Sequence, residues 1–369
     1  MRIDRLVLTD FRNYERLAWA PQSRLVVLTG ENGAGKTNLL EALSLLAPGR
    51  GLRGATNALI QRHQGHSWGV MARLARDGDD ALELATGADP ANSSRRVFRL
   101  DGEVVRNQGQ IAPHFSTIWL TPQMDRLFSD PASGRRRFLD RLVLALDPNH
   151  ARESAAHERA LIQRNRLLAT RPDQMTWLDG LEDSIARHAV ALTASRMALV
   201  ESMNRVPVTD DTSFPVARLQ LVCDVERDLA SQPALAVEEN LRAMLKRSRG
   251  EDAQKGSTSF GAHRADLSLQ DALTGREAAL SSSGQQKAML VHVMLNHAAL
   301  TTGKAGRAPL ILLDEPLNHL DAERRDALLR FLRDREVTAF MTGTDREAFG
   351  ALGDHAEYRE VSSGRFLGQ

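Results

Sequence analysis

The pattern of apolar and polar residues predicts a strand, a loop and a helix near the start of the chain. Apolar residues are concentrated at 3–8 and at 25–28, and each cluster is typical of a buried β-strand. Leucine and alanine then recur through 38–46, and Pro48 and Gly49 follow directly. We therefore expect a largely buried helix that ends at this pair.

Residues 69–120 show shorter alternations of apolar and polar residues, which predict β-structure. Asp101 and Gly102 separate the segments 95–100 and 103–105, and an Asp-Gly pair in this position is a strong signal for a tight hairpin. Residues 116–120 are a further candidate strand.

The middle of the chain is predicted to be helical. From about 148 to 206, apolar residues recur near helical spacing with one interruption at Arg171-Pro172, which predicts a helical hairpin. The stretch from Lys246 to Ser259 is rich in serine, arginine and glycine, and we expect it to be a linker or mobile loop.

An α/β pattern returns in the last part of the sequence. Residues 309–313 predict a strand, 323–335 a helix and 337–341 another strand, which together indicate a parallel βαβ unit. The sequence therefore predicts an α/β fold in three parts, with residues 1–147 and 258–369 forming one architecture and residues 148–257 inserted into it.

A phosphate-binding motif lies between the second strand and the first helix. Residues 30–37 read GENGAGKT and match GxxxxGK[ST]. Its glycines let backbone N–H groups surround phosphate oxygens at a helix N-terminus, while Lys36 reaches the β- and γ-phosphates and the Thr37 hydroxyl binds Mg²⁺. The predicted ATP-binding residues are Gly30, Glu31, Asn32, Gly33, Ala34, Gly35, Lys36 and Thr37.

Two carboxylates follow the apolar strand at 310–313. Asp314 and Glu315 are placed at the C-terminal end of that strand, which is where open parallel sheets bind ligands. Alone, this pair is equally compatible with an acidic surface turn. Beside a P-loop, it predicts that Asp314 holds Mg²⁺ and that Glu315 polarises the attacking water.

Composition narrows the class of protein. Hydrophobic residues make up 42% and charged residues 26%, and no apolar run approaches the roughly 20 residues that cross a bilayer, so we expect a cytoplasmic protein. Cys223 is the only cysteine, which excludes an intramolecular disulfide and a cysteine-cluster metal site. The formal charge is only +1, so any affinity for DNA depends on where the charges lie.

A second motif resembles a known family. Residues 280–287 read LSSSGQQK before a mostly apolar helical stretch, and they are similar to the signature loop of ABC ATPases. In that family the residues that match Ser282 and Gly284 bind the γ-phosphate held in the P-loop of a partner subunit. The resemblance implies a head-to-tail dimer that encloses two ATP molecules. Taken alone, the serines are compatible with an ordinary helix cap.

Other family positions are also matched, with one departure. Asp321, within EPLNHLD, matches the D-loop aspartate, and Gln123 resembles the Q-loop glutamine. The family's switch histidine is missing, because residues 341–345 read MTGTD. We expect Thr344 or a neighbour in its place and do not expect fast turnover.

The resemblance becomes more specific with the size of the insertion. Gly35 and Gly284 are roughly 250 residues apart, too far for a transporter ATPase subunit and too close for an SMC protein with its long coiled coil. The chain resembles the RecF family through four strings: FRNY at 11–14, RRRFLD at 135–140, QRNRLL at 163–168 and GAHRADL at 261–267. In the last string, Ala262 and Ala265 replace the proline and the acidic residue usual in that family.

The resemblance implies an SMC-like ABC ATPase head, of the P-loop type, with an inserted and mainly helical arm or lid domain. It further implies ATP and Mg²⁺ as cofactors, slow DNA-stimulated hydrolysis, and ATP-dependent homodimerisation on double-stranded DNA and at junctions with single-stranded gaps. The implied partners are RecR and RecO, which help to load RecA in recombinational repair and the SOS response.

Two alternatives to this function stay open at the level of sequence. The chain could be the ATPase subunit of another ABC system, such as a transporter, or a DNA-binding module in which ATP acts only as a switch. A run with eight arginines and four acids from Arg135 to Arg166 is equally compatible with phosphate contacts and with a solvated helix face. Arg12 and Arg53 are further phosphate or DNA candidates, whereas Phe11 and Tyr14 fit the core better than an adenine site.

Overall fold

The computed structural model describes residues 1–76, 79–206, 214–335 and 337–367. Its strands, in chain order, are β1 (Arg2–Phe11), β2 (Tyr14–Trp19), β3 (Leu25–Thr29), β4 (Gly69–Arg76), β5 (Asp79–Asp89), β6 (Asn92–Leu100), β7 (Glu103–Val105), β8 (Thr117–Leu120), β9 (Ala217–Val222), β10 (Asp266–Asp271), β11 (Leu310–Leu313), β12 (Thr338–Thr342), β13 (Ala356–Ser362) and β14 (Arg365–Phe366). Its helices are α1 (Lys36–Leu45), α2 (Asn57–Ile60), α3 (Ala132–Leu144), α4 (Asn149–Thr170), α5 (Met175–Asn204), α6 (Asp224–Leu229), α7 (Ala234–Arg247), α8 (Arg249–Lys255), α9 (Ser283–Ala305) and α10 (Ala322–Asp334).

These elements form two compact units. The first comprises Met1–Arg126, Val208–Pro215 and Ser282–Gln369, and the second comprises Leu127–Pro207 and Val216–Ser281. The division of the chain at 147 and 257 that the sequence suggested stays a prediction. None of the helices in the described part of the chain has the length and apolar content that a bilayer span requires.

A mostly parallel sheet organises the first unit. Its strand order is β14-β13-β3-β12-β11-β8, and β3, β8, β11 and β12 are buried at every position, as expected of strands covered on both faces. β11 and β12 pair in parallel with α10 between them in the sequence, which confirms the predicted βαβ unit. The register sets Leu313 opposite Met341, so the residues that follow at the strand ends are neighbours.

An antiparallel sheet in the same unit has the order β2-β1-β4-β5-β6-β7. The predicted hairpin is confirmed, because Asp101 and Gly102 both have positive φ between β6 and β7. Phe11 and Tyr14 are fully buried in the core of this unit, which confirms the core interpretation and leaves neither ring available to stack on a nucleotide.

The second unit is built on the predicted helical hairpin. α4 and α5 are separated at residues 171–174, because the backbone of Arg171 is no longer helical and Pro172 follows. The expectation of a linker or mobile loop from Lys246 to Ser259 is wrong, since α7 continues to Arg247 and α8 follows directly.

Buried polar contacts explain why that stretch is ordered. The Arg164 guanidinium is fully buried and donates hydrogen bonds to Glu182, Asp252 and the Thr258 hydroxyl, at 3.0, 2.8 and 2.9 Å. A buried charge of this kind is retained only when it is paired. Serine and arginine residues suggest a loop when only the sequence is considered, but here they take part in a packed network of buried charges.

Several arginines of the cluster at 135–166 are structural. Arg135 forms two hydrogen bonds with Asp266, of 2.7 and 2.9 Å, and Arg136 donates to the Ala265 carbonyl at 2.7 Å. These two arginines connect the string at 135–140 with the string at 261–267, and the buried Arg164 binds Glu182, Asp252 and Thr258 in the same unit. For these three arginines, neither the phosphate hypothesis nor the solvated-face hypothesis holds.

Candidate nucleotide-binding site

The loop between β3 and α1 has the geometry of a phosphate cradle. Gly30 and Gly35 have φ values of 135° and 118°, a region open to glycine and strained for other residues. There is also no room for a side chain, because a Cβ at Gly30 would lie 2.3 Å from the Val361 carbonyl oxygen. Five buried β3 residues anchor one side of this loop and the buried helix α1 anchors the other.

The cradle is held from outside by the turn that links β1 and β2. The Asn13 amide donates to the Ala34 carbonyl at 2.9 Å, and the Tyr14 hydroxyl donates to the Gly35 carbonyl at 3.1 Å. The Gly364 N–H, from the turn between β13 and β14, donates to the same Ala34 carbonyl. These contacts use carbonyl groups of the loop as acceptors and none of its N–H groups, although the Ala34 N–H donates within the loop to the Glu31 carbonyl at 3.2 Å.

Lys36 points back into the cradle. Its ammonium donates to the Gly30 and Glu31 carbonyls at 2.5 and 2.9 Å, and the residue is 5% exposed. Burial lowers the pKa of this ammonium, while the negative charges of Glu315 and Asp314 act in the opposite direction. The lysine is thus positioned above the loop and satisfied by main-chain carbonyls that a phosphate oxygen could replace.

The P-loop threonine and the strand-end aspartate are in contact. The Thr37 hydroxyl donates to Asp314 Oδ1 at 2.8 Å, although the two residues are distant in the sequence. Thr342, at the end of β12, donates its hydroxyl to the same oxygen at 2.8 Å. Hydroxyl and carboxylate oxygens are the ligands that Mg²⁺ accepts in nucleotide sites, so Thr37 and Asp314 fit the predicted metal.

Glu315 is fixed through its backbone as well as its side chain. Its φ is 48°, which is strained for a residue other than glycine. The Glu315 N–H donates to the Thr342 hydroxyl at 2.9 Å, and its carbonyl accepts from the Lys287 ammonium at 3.3 Å. Asn318 donates to the carboxylate at 2.8 Å. The carboxylate is therefore oriented, not freely rotating.

The signature residues lie at the N-terminus of α9. Ser282 is the N-cap, in a reciprocal capping box with Gln285, and its side chain is exposed. A Cβ at Gly284 would lie 2.9 Å from the His319 carbonyl oxygen, so this turn of α9 packs directly on the loop before Asp321. Asp321 is exposed and caps α10 through the Arg324 N–H at 2.9 Å.

Gln123 follows β8 in a short turn, Pro122–Arg126, and is exposed. β8 pairs with β11, so this turn lies at the same sheet edge as Asp314. Nearby, the fully buried Lys287 ammonium lies 3.5 Å from Asp125, and burial lowers the pKa of this lysine in spite of the carboxylate. Lys287 thereby connects α9 with both Asp125 and the Glu315 backbone.

Thr342, Lys287 and Asn13 were not predicted as site residues. Thr342 could have been found from strand register, because parallel strands that match Leu313 with Met341 also bring Asp314 beside residue 342. Lys287, a lysine near the start of a mostly apolar helix, was a weaker signal. Thr344, the first candidate for the switch position, is exposed. Arg12 and Arg53 both bind the buried Glu41 carboxylate, which gives these former DNA candidates a structural role.

Comparisons with known proteins find relatives over nearly the whole chain. The RecF/RecN/SMC N-terminal domain model matches residues 2–354. The DNA replication and repair protein RecF of Rhizobium johnstonii (strain DSM 114642 / LMG 32736 / 3841) is 44% identical over 367 residues, 98% of this chain and 98% of that protein. The RecF of Rhizobium meliloti (strain 1021) is 43% identical over 371 residues, 99% of this chain and 98% of that protein.

Solved structures are similar over nearly the full length. A structure of the recombination mediator protein RecF with ATP has a TM-score of 0.80 at 21% identity, covering 99% of this chain and 98% of that one. An SMC head bound to the C-terminal winged-helix domain of ScpA has a TM-score of 0.52 at 13% identity, covering 99% and 96%. The fold is therefore that of an SMC-like ABC ATPase head, as predicted.

Proposed function

Because this chain belongs to the RecF family of DNA replication and repair proteins, we propose that it is an ATP-switched clamp on double-stranded DNA. The observation that carries the proposal is the meeting of Thr37, Asp314 and Thr342 at the strand ends beside the P-loop. A hydroxyl and a carboxylate in hydrogen-bond contact at the end of a P-loop form a site for a nucleotide with its metal.

In this proposal each residue has a defined role. The N–H groups of residues 30–37 surround the phosphates, and Lys36 exchanges its carbonyl partners for β- and γ-phosphate oxygens. Thr37 and Asp314 hold Mg²⁺, which when bound neutralises charge on those oxygens. Glu315 orients the attacking water, assisted by Gln123 from the neighbouring strand end.

Ser282 and Gly284 complete the site of a second copy. Within the described residues, the Ser282 hydroxyl contacts only its own capping partner, so a helix N-terminus with an exposed hydroxyl is available to an anion from outside. Asp321, exposed at the start of α10, lies on the loop that packs against Gly284. We infer that all three act across the interface of an ATP-dependent homodimer with two equivalent sites.

Mixed subunits test the shared site. A dimer of Lys36→Met with Ser282→Arg has both defects in one site and leaves the other site intact, whereas neither homodimer has an intact site. Equal random mixing makes about half of the dimers heterodimeric, so roughly a quarter of wild-type occupancy should return by two-fold pairing. Photocrosslinked ATP measures occupancy without requiring turnover. Heterodimers that form and yet recover no occupancy would show that the signature loop does not act in trans.

The proposed cellular role follows from the family. The clamp recognises double-stranded DNA and junctions with single-stranded gaps, works with RecR and RecO so that RecA is loaded, and so contributes to recombinational repair, replication-gap repair and the SOS response in the cytoplasm. Hydrolysis is slow and DNA-stimulated, and serves to reset the clamp. Binding at arbitrary sequence requires phosphate contacts, so affinity should fall steeply with salt and show little base readout.

Sedimentation tests the clamp directly. We expect the chain to sediment as a monomer without nucleotide, as a dimer with ATP, and as a dimer on a gapped duplex when ATP and DNA are both present. The same gapped duplex with ADP is the control. A dimer on DNA that forms equally with ADP, or a footprint selective for one base sequence, would count against an ATP-switched repair clamp.

A further inference from the structure

The residue that follows β12 is kept free of a side chain. The Gly343 N–H donates to the Leu28 carbonyl at 3.0 Å, which ties its backbone to the sheet. A Cβ at this position would lie 2.5 Å from Cε2 of the Phe349 ring. That ring is 1% exposed and cannot swing into solvent. A side chain at position 343 would therefore displace a core aromatic residue.

Thr344, the next candidate for the switch position, does not contact the site. Thr344 is exposed, and no side-chain contact of it is found within the described residues. The hydroxyl that does face the site belongs to Thr342, which is fully buried as the last residue of β12. Its single proton goes to Asp314 Oδ1, and its lone pairs accept the Glu315 N–H, so one hydroxyl contacts both acidic residues.

We propose that Thr342 is the positioning residue of this ATP site, and that position 343, closed to a side chain by Phe349, presents no group to the γ-phosphate. The hydroxyl fixes the rotation of the Asp314 carboxylate, which would hold the metal, and accepts the N–H of Glu315, whose φ is positive. This inference rests on the proposed ATP site. It assigns the positioning of Asp314 and Glu315 to the Thr342 hydroxyl, in a chain that lacks the family's switch histidine. In this arrangement Lys36, the loop N–H groups and the second copy contact the γ-phosphate.

The chemistry of the side chain makes the inference specific. Valine has the shape of threonine without its hydroxyl, so Thr342→Val leaves the Glu315 N–H without an acceptor and removes one donor from Asp314. Serine keeps the hydroxyl and loses only a methyl group. The strand also supplies a matched control, because Thr338 is buried at the opposite end of β12 and donates its hydroxyl to the Met1 carbonyl at 2.5 Å.

The test compares Thr342→Val, Thr342→Ser and Thr338→Val in two measurements. The first is a Mg²⁺ titration of ATP-dependent dimerisation, with sedimentation as the readout, and the second is ATP turnover on DNA. For Thr342→Val we expect unchanged binding of a fluorescent ATP analogue without metal, a roughly tenfold or greater increase in the Mg²⁺ needed for dimerisation, and turnover reduced about 10- to 100-fold, as for a lost hydrogen bond to a charged group. Thr342→Ser and Thr338→Val should stay within about threefold of wild type.

Each result has one meaning. A Mg²⁺ titration of Thr342→Val that matches wild type overturns the positioning role. So does an equal defect in Thr338→Val, since this would trace the loss to strand stability. If the wild-type protein neither binds ATP nor dimerises, the proposed function fails before Thr342 is tested. Thr342→Ser keeps the test valid if valine prevents folding, because loss of Mg²⁺ response in a folded serine variant also contradicts the inference.

The inference that position 343 has no room for a side chain is tested separately. Gly343→Ala should lower the thermal unfolding midpoint, and adding Phe349→Leu should restore part of that loss even though Phe349→Leu alone lowers the midpoint. Gly343→His should destabilise the fold without accelerating hydrolysis. A stable Gly343→His variant with faster turnover would show that position 343 can present a group to the γ-phosphate.

Discussion

Lys36→Met should abolish ATP-dependent dimerisation while leaving the fold intact. Among the described residues, the ammonium has hydrogen bonds to the main-chain carbonyls of the cradle alone, at 2.5 and 2.9 Å, so methionine of similar length removes the charge without breaking an ion pair. The γ-phosphate then loses its charged ligand, and a charge-assisted contact is worth about 1.5–3 kcal/mol. Sedimentation velocity with saturating ATP should show a monomer where the wild type shows a dimer.

A matched lysine variant controls for the loss of a positive charge. Lys246 is exposed and pairs with Asp179 in the second unit, so Lys246→Met should dimerise as the wild type does. Unfolding curves of both variants should coincide with that of the wild type. A Lys36→Met protein that is folded and still dimerises with ATP would remove the P-loop from the mechanism.

Glu315→Gln should separate binding from turnover. Glutamine can still accept the Asn318 hydrogen bond at one oxygen, and the backbone contacts with Thr342 and Lys287 do not depend on the side chain. The group that orients water loses its charge, which typically costs 100- to 10,000-fold, so we expect turnover to fall by about that range. ATP and Mg²⁺ should stay bound, and the dimer should persist on DNA for longer than in the wild type.

Glu323 provides a matched control for the loss of a carboxylate charge outside the site. Glu323 is exposed in the first turn of α10, and Glu323→Gln should hydrolyse ATP at the wild-type rate. Turnover is measured as phosphate release with gapped duplex present, and dimer lifetime by dilution. Wild-type turnover in Glu315→Gln would exclude Glu315 as the group that activates water, and rapid dissociation would argue that it also holds the nucleotide.

Local pattern was sufficient for the elements that form the nucleotide site. β3, α1, β11, α10 and β12 all lie where the apolar pattern and breaker residues predicted them, because four of them are buried on most sides and α10 has one buried apolar face. The P-loop was equally clear. Its function depends on a contiguous segment, so spacing alone carries the chemistry.

Features that depend on distant partners could not be predicted in the same way. The segment from Lys246 to Ser259 looks like a loop until the buried Arg164 provides a partner for Asp252 and Thr258. Thr342 gains its contact with Asp314 only through the pairing of β11 with β12. The roles of Gln123, Ser282, Gly284 and Asp321 stay predictions, since they concern a nucleotide and a second subunit.

The order of strands in the parallel sheet also constrains how the chain is made. β3 precedes the P-loop, yet both of its neighbours, β12 and β13, come from the last part of the sequence. At about 5–20 residues per second, a ribosome leaves this apolar strand unpaired for on the order of tens of seconds. Nascent chains therefore carry an open, aggregation-prone strand until β12 and β13 have been synthesised. The ATP site can be completed only after β12 has paired with β3, and demand for chaperones should be greatest before that pairing.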